Sequence, residues 1–224
     1  MEQNSLQVFR EKIDIIDEKI IELLKQRANV VRDVKALKDG ENISDFSLYI
    51  KPKREFEILE KVQNVGGVYS VCFLTNIWRM MIAASNLIEQ NLEFASFDED
   101  GRFYTSKYFG NLKPVAIDSM QNVFEKVEAN DVHIFGFVSS QKEVYEYLLR
   151  YRNIRIFAGV RISAEKYVFF CGKMRNIEAH FDERAFVITT QKTDCKIVEG
   201  VYKKQCGGVV DDYNFGFFYE TSSD

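Results

Sequence analysis

From Leu6 to Lys38 the chain has no Gly and no Pro, and apolar residues recur at helical spacing: Phe9, Ile13, Ile16, Ile20, Leu23, Leu24, Val30, Val31, Val34 and Leu37. The pattern predicts one amphipathic helix of about 33 residues, near 50 Å long at 1.5 Å per residue. Asp39-Gly40 supplies a stop, with Gly suited to the left-handed position that follows a helix. Three permanent cations sit on or beside the apolar stripe: Arg10, Arg27 and Lys38. Arg27 and Lys38 are eleven residues apart, about 20° from a whole number of turns, so they share a face. Arg10 and Arg27 are seventeen apart, about 25 Å along the axis, too far for one small molecule to touch both on the same helix. A second copy running antiparallel would bring its own Arg10 beside Arg27, and the two helices would bury each other's stripes.

Two more helices follow a polar loop from Glu41 to Ile50. Lys51-Pro52 opens the second, since Pro in the first turn lacks an N–H that would have no helical partner anyway. It runs through Phe56, Ile58, Leu59 and Val62 to Gly66-Gly67. The third spans Tyr69 to about Asn91, with Phe73, Ile77, Trp78, Met81, Ala84 and Leu87 as its apolar stripe. After residue 97 the texture changes. Val115–Ile117, a helix from Asp118 to Ala129 and Val132–Val138 read as a βαβ unit, and Gln141–Tyr151 as a helix. Further strands are expected at Ile154–Ile162, Tyr167–Cys171, Ala185–Thr190, Lys196–Tyr202 and Phe215–Tyr219. The expected fold class is multi-domain, α and α/β: a helical domain over 1–97 and a small α/β domain over 98–224.

Composition removes several function classes. Thirty Lys+Arg against thirty-four Asp+Glu leave a net charge of −4, which argues against electrostatic binding to nucleic acid. No apolar run approaches the roughly 20 residues that span a bilayer, so no membrane partner is expected. The opening residues lack a basic segment followed by an apolar one, so a cytoplasmic protein is expected. Cys72, Cys171, Cys195 and Cys206 form no C-x-x-C pair, and His133 and His180 are the only histidines. Neither a zinc site nor a Cys–His nucleophile is supported, and free, buried thiols are expected. No metal and no cofactor is expected, so any chemistry rests on other residue types.

The helical half offers such types. Arg54 and Glu55 stand in the first turn of the second helix, and Ser85 and Glu89 are one turn apart on the third. Several cations with a Ser and two carboxylates in a helical core suit a dianionic small molecule, because each carboxylate of the guest can accept an Arg fork. Taken singly, each Arg reads as well as surface salt-bridge material, Ser85 as a small buried residue and Glu89 as a solvated one. Their joint spacing favours the reading as a site.

The stretches Leu6–Arg27, Val34–Lys38, Lys53-Arg54-Glu55-Phe-Glu-Ile-Leu and Ile77–Glu89 resemble the all-helical chorismate mutases, over about residues 5–92. The resemblance implies a three-helix fold in an intertwined homodimer, with the long first helix lending Arg10 to the other subunit's site. It implies that Arg10, Arg27 and Arg54 clamp the carboxylates of chorismate, Lys38 donates to the ether oxygen, Glu55 binds the ring hydroxyl and Ser85 holds a carboxylate or that hydroxyl. Glu89 falls where many members have Gln, as a second donor to the ether oxygen, and a carboxyl group there must carry a proton to donate. Lys38, Glu89 and Arg27 make up the catalytic set. Lys51 falls where some members carry an Asp. The rearrangement of chorismate to prephenate needs no nucleophile or cofactor, only a flexible dianion held in its reactive shape and charge stabilised on the ether oxygen.

Arg102–Gly110, the βαβ unit and Asp182–Ile188 resemble a reduced prephenate dehydratase-like region, as some bacterial chorismate mutases carry. The Thr-Arg-Phe signature of that family is replaced by Glu183-Arg184-Ala185-Phe186, so a regulatory or buttressing role is expected rather than a second catalytic step. His133 and Gly207-Gly208 read as structural. The alternatives to a mutase are a lyase of the same fold acting on isochorismate, and a non-catalytic sensor of an aromatic precursor.

Overall fold

The computed structural model describes residues 2–40, 50–110 and 114–173, and three strands at 185–191, 194–199 and 214–218. The chain divides into two compact units, residues 1–43 and 44–224. The first contains one uninterrupted helix, α1 (Glu2–Gly40), longer at both ends than the periodicity predicts. Gly40 is its last residue and does not adopt the positive φ expected of it; with no Cβ it is tolerated inside the final turn as readily as after it. Local pairs line the rod, among them Gln7 to Glu11 at 3.3 Å, Gln26 to Glu22 at 3.1 Å and Lys35 to Asp39 at 3.4 Å. Each is worth about 0.2–0.5 kcal/mol. Thirteen large apolar side chains of α1, from Leu6 to Leu37, are exposed.

The second unit holds α2 (Pro52–Gln63), α3 (Val71–Glu89), β1 (Phe94–Ser96), α4 (Glu99–Phe109), α5 (Met120–Ala129), β2 (Ile134–Val138), α6 (Glu143–Arg150), β3 (Ile154–Arg161), β4 (Tyr167–Lys173), β5 (Ala185–Gln191), β6 (Asp194–Glu199) and β7 (Asn214–Phe218). The seven strands form one mixed sheet in the order β1-β2-β4-β3-β7-β5-β6. The strand expected at 115–117 is absent. Its place beside β2 belongs to β1, which pairs parallel with Phe94 opposite Ile134, while Val115 makes a single bond to the Phe94 carbonyl at 2.8 Å. A three-residue strand is too short to show a period, and the helix α4 after it, with Gly101 in its first turn, shows no apolar stripe either. Gly207-Gly208 lie outside the described residues.

Alternation along the strands sorts the two sheet faces. Phe135 and Phe137 of β2 with Phe169 and Cys171 of β4 pack under α5 and α6, through Phe124, Val127, Val144 and Leu148. Ile134 and Val138 with Val168 and Phe170 face the other way, onto Tyr108 and Phe109 of α4. On β3, Phe157 and Ala158 both join that second cluster although adjacent in sequence, because the β3–β4 register shifts between Ile156 and Ala158. α4 lies against β2 backbone to backbone: a Cβ on Gly101 would come 2.7 Å from the Gly136 carbonyl oxygen. Asp98 caps α4 by accepting from the Gly101 N–H at 2.6 Å, and ties it to the sheet end through the Val138 N–H at 3.3 Å and Gln141 Nε2 at 3.1 Å. α4 in turn supports α3.

Two expectations from the sequence are corrected. Cys72 is exposed, whereas Cys171 is buried as expected and burial raises its thiol well above the usual range. α3 is long and apolar enough to cross a membrane by length and composition. It is nevertheless a packed helix, since it buries Arg79, Asn86 and Glu89 against protein, groups a hydrocarbon core would penalise by several kcal/mol each.

Candidate active site

α2 starts on Pro52, and the Glu55 N–H closes its first turn on the Lys51 carbonyl at 2.9 Å. The buried stripe of α2 is Pro52, Glu55, Phe56, Leu59 and Val62. Glu55 therefore travels inward with the apolar residues and is only 5% exposed. Arg54, one position earlier, points outward with its side chain 61% exposed, 3.3 Å from Glu57.

α3 starts at Ser70, whose hydroxyl accepts from the Phe73 N–H at 3.2 Å. Its buried side carries Thr75, Arg79, Ser85, Asn86 and Glu89 with Ile82 and Ala83. Phe73, Ala84 and Leu87 of the expected apolar stripe are exposed. The reason is that α3 is apolar nearly all the way round, and the side that packs on α2 is chosen by its polar groups. Asn86 Nδ2 donates to Glu55 Oε1 at 3.1 Å, and Arg79 places a guanidinium nitrogen 3.6 Å from Glu55 Oε2. The same guanidinium lies over the Tyr108 ring, 4.6 Å from its centroid. Ser85 donates to the Met81 carbonyl at 2.8 Å within its own helix, the back-bond open to a Ser in a helix interior.

Arg10, Arg27 and Lys38 thus lie in the first unit, with Arg10 exposed and Arg27 and Lys38 partly covered. Arg54, Glu55, Ser85 and Glu89 lie in the second. There the structure brings Glu55 against Asn86, next in sequence to Ser85, and buries Ser85 and Glu89 one turn apart on α3. Arg54 is turned the other way. Ala84 and Leu87, expected in the apolar stripe, lie on the side of α3 away from Glu89, beside α4.

Two residues of this cluster escape the sequence reading: Arg79 and Asn86. A signal for Arg79 exists, because it is the one charge between Val71 and Ile88. A lone charge in a helix that apolar has to find a counter-ion once buried. A carboxylate can accept about four hydrogen bonds, so Glu55 can serve more than one donor at once.

Residues 9–90 match the family model described as chorismate mutase type II, a stretch that includes Arg10, Arg27, Lys38, Arg54, Glu55, Ser85 and Glu89. Three curated relatives, each named bifunctional chorismate mutase/prephenate dehydratase, also match. The one from Pseudomonas aeruginosa is 29% identical over 147 residues, covering 61% of this chain and 39% of the relative. The Stutzerimonas stutzeri protein is 27% identical over 145 residues, with the same two shares, and that of Aquifex aeolicus 29% over 132 residues, 55% of this chain and 35% of its own. These alignments are longer than the stretch 9–90, so the likeness continues outside it. The chain covers about two fifths of the length of these relatives. No solved structure matches.

Proposed function

We propose that this chain, whose residues 9–90 belong to the chorismate mutase type II family, catalyses the rearrangement of chorismate to prephenate. The observation that carries the proposal is the family match, which spans every residue assigned a role. Arg10, Arg27 and Arg54 hold the two carboxylates and fold the enolpyruvyl side chain over the ring. Glu55, fixed by Arg79 and Asn86, accepts from the ring hydroxyl, and Ser85 contributes to the same end of the guest. Lys38 and the acid form of Glu89 donate to the ether oxygen as its bond breaks, so both interactions strengthen towards the transition state. The chain's own part is positioning and charge.

The working assembly is a homodimer. Thirteen large apolar side chains exposed on one helix form a surface that a soluble monomer rarely leaves bare. An antiparallel second α1 would cover it and carry Arg10 to the other copy's Arg27. Residues 1–97 then form the catalytic domain and residues 98–224 a regulatory or structural one. The absence of Thr from the Glu183–Phe186 stretch supports that division of labour over a second catalytic step. The protein is assigned to the cytoplasm on the biosynthetic character of the reaction.

Incubation of the full chain with chorismate, followed by loss of its ultraviolet absorbance and product identification by NMR, tests the proposal. Stoichiometric prephenate supports it. Release of pyruvate would make the protein a lyase, and binding without turnover would make it a sensor; either outcome overturns the mutase reading.

A further inference from the structure

Three helices meet at one side chain. Arg79 of α3 places a guanidinium nitrogen 3.6 Å from Glu55 Oε2 on α2, and its guanidinium carbon lies 4.6 Å from the centre of the Tyr108 ring on α4. A contact of 3.6 Å is longer than the roughly 2.7–2.9 Å of a charge-assisted hydrogen bond, so this ion pair sets a distance without setting the plane of the guanidinium. The face of Tyr108 is a flat surface for that plane to rest on, and cation–π attraction is strongest where water is excluded. Tyr108 is fully buried. Its ring lies 5.7 Å from that of Phe170 on β4, in the cluster with Phe94 and Ile134. The helix that carries it is set against β2 where Gly101 meets Gly136, and Asp98 ties that helix to the sheet end. The sheet therefore holds Tyr108, Tyr108 bears on Arg79, and Arg79 bears on Glu55. Asn86 meets the other oxygen of Glu55 at 3.1 Å, so the carboxylate is held from two sides. As plain core material Tyr108 would be equivalent to its neighbour Phe109, whose ring packs on Phe157 and Phe170. Its contact with a buried cation sets it apart. Tyr108 also lies outside the matched residues 9–90, so the family match assigns it nothing.

We propose that Tyr108 is a positioning residue for the chorismate reaction: its ring holds the Arg79 guanidinium against Glu55 and so aims the carboxylate that accepts from the substrate's ring hydroxyl. The proposal rests on the mutase reading above, and it gives the α/β region a defined part in that reaction. Tyr108 acts through two other side chains and is not itself placed on the substrate. The ring hydroxyl is not a reacting group, so its contact holds ground state and transition state alike. Poorer aim of Glu55 therefore weakens substrate binding and shows in KM rather than in kcat. A loss of folded protein does the reverse, because fewer working sites lower kcat and leave KM where it was.

Steady-state kinetics of the full chain with chorismate test it. Tyr108→Met fills the space without a ring and should raise KM about tenfold with kcat within about twofold; Tyr108→Leu takes its place if that variant fails to fold. Tyr108→Phe keeps the ring face and should match the wild type. Phe109→Leu trims a neighbouring ring of the same cluster and should lower the urea midpoint with KM unchanged. An unchanged KM in Tyr108→Met overturns the proposal, as does an equal rise in Tyr108→Phe or in Phe109→Leu. Urea denaturation of Tyr108→Met, Arg79→Met and the double variant reads the contact without substrate. The double variant's loss should be smaller than the sum of the single losses, and additive losses overturn the proposal as well. A wild type that does not turn over chorismate removes the mutase reading and this proposal with it, whereas turnover that is indifferent to Tyr108→Met removes the proposal alone.

Discussion

Arg79→Met removes the cation that faces Glu55 while keeping much of the volume of the side chain. Arg79 is 1% exposed and the Glu55 side chain 7%, so neither charge has bulk water to fall back on. Breaking a buried pair by deleting one member costs about 3–5 kcal/mol, because the other charge stays inside uncompensated. The guanidinium on the Tyr108 face adds on the order of 1 kcal/mol. For a folding unit of this size about 2–4 °C of Tm go with each kcal/mol, so Arg79→Met, at about 4–6 kcal/mol in all, should melt roughly 8–24 °C below the wild type. Adding Glu55→Gln should recover most of the loss, because the amide oxygen still accepts from Asn86 and no buried charge remains. Thermal and urea denaturation of the two single variants and the double variant give the coupling energy, expected above about 2 kcal/mol. If Arg79→Met costs less than about 1 kcal/mol, the range of solvated pairs, the pair is hydrated and the burial argument for Glu55 is wrong.

Four further outcomes are expected. Arg10→Ala and Arg27→Ala should each be nearly inactive, yet a mixture should regain activity through hybrid dimers carrying one intact site; full activity in a strictly monomeric preparation would refute the shared site. Lys38→Ala should lower kcat by about 10²–10³, as for a lost oxyanion donor, and a change confined to KM would make Lys38 a ground-state binder. Glu89→Gln keeps a neutral donor of similar shape and should retain activity; an inactive Glu89→Gln at every pH removes the donor role. His133, whose Nδ1 accepts from the Glu93 N–H at 3.0 Å, has its pKa lowered from 6.5 by burial, partly opposed by the Glu93 charge. The unfolded chain then binds the proton more readily, so the urea midpoint should drop as pH falls below about 6.5 and level off below the folded value, and His133→Gln should remove that slope.

Periodicity and short motifs carried most of the element map. The Gly- and Pro-free run before Asp39 reads as a helix without help, as do the strands from Ile154 onward, because backbone preference and alternation are local. Spacing on a helix places Arg27 with Lys38 and brings Ser85 and Glu89 one turn apart, whereas the roles of the seven candidate site residues rest on the family resemblance. What the sequence left open is which side of each element turns inward. α3 is apolar on most sides, so its own pattern points to Phe73, Ala84 and Leu87 as the core stripe. Packing buries the side with Arg79 and Asn86 instead, because a carboxylate on α2 waits there and a buried charge demands a partner. β1 and α4 went unread because one is three residues long and the other owes its place to the close approach of Gly101 and Gly136.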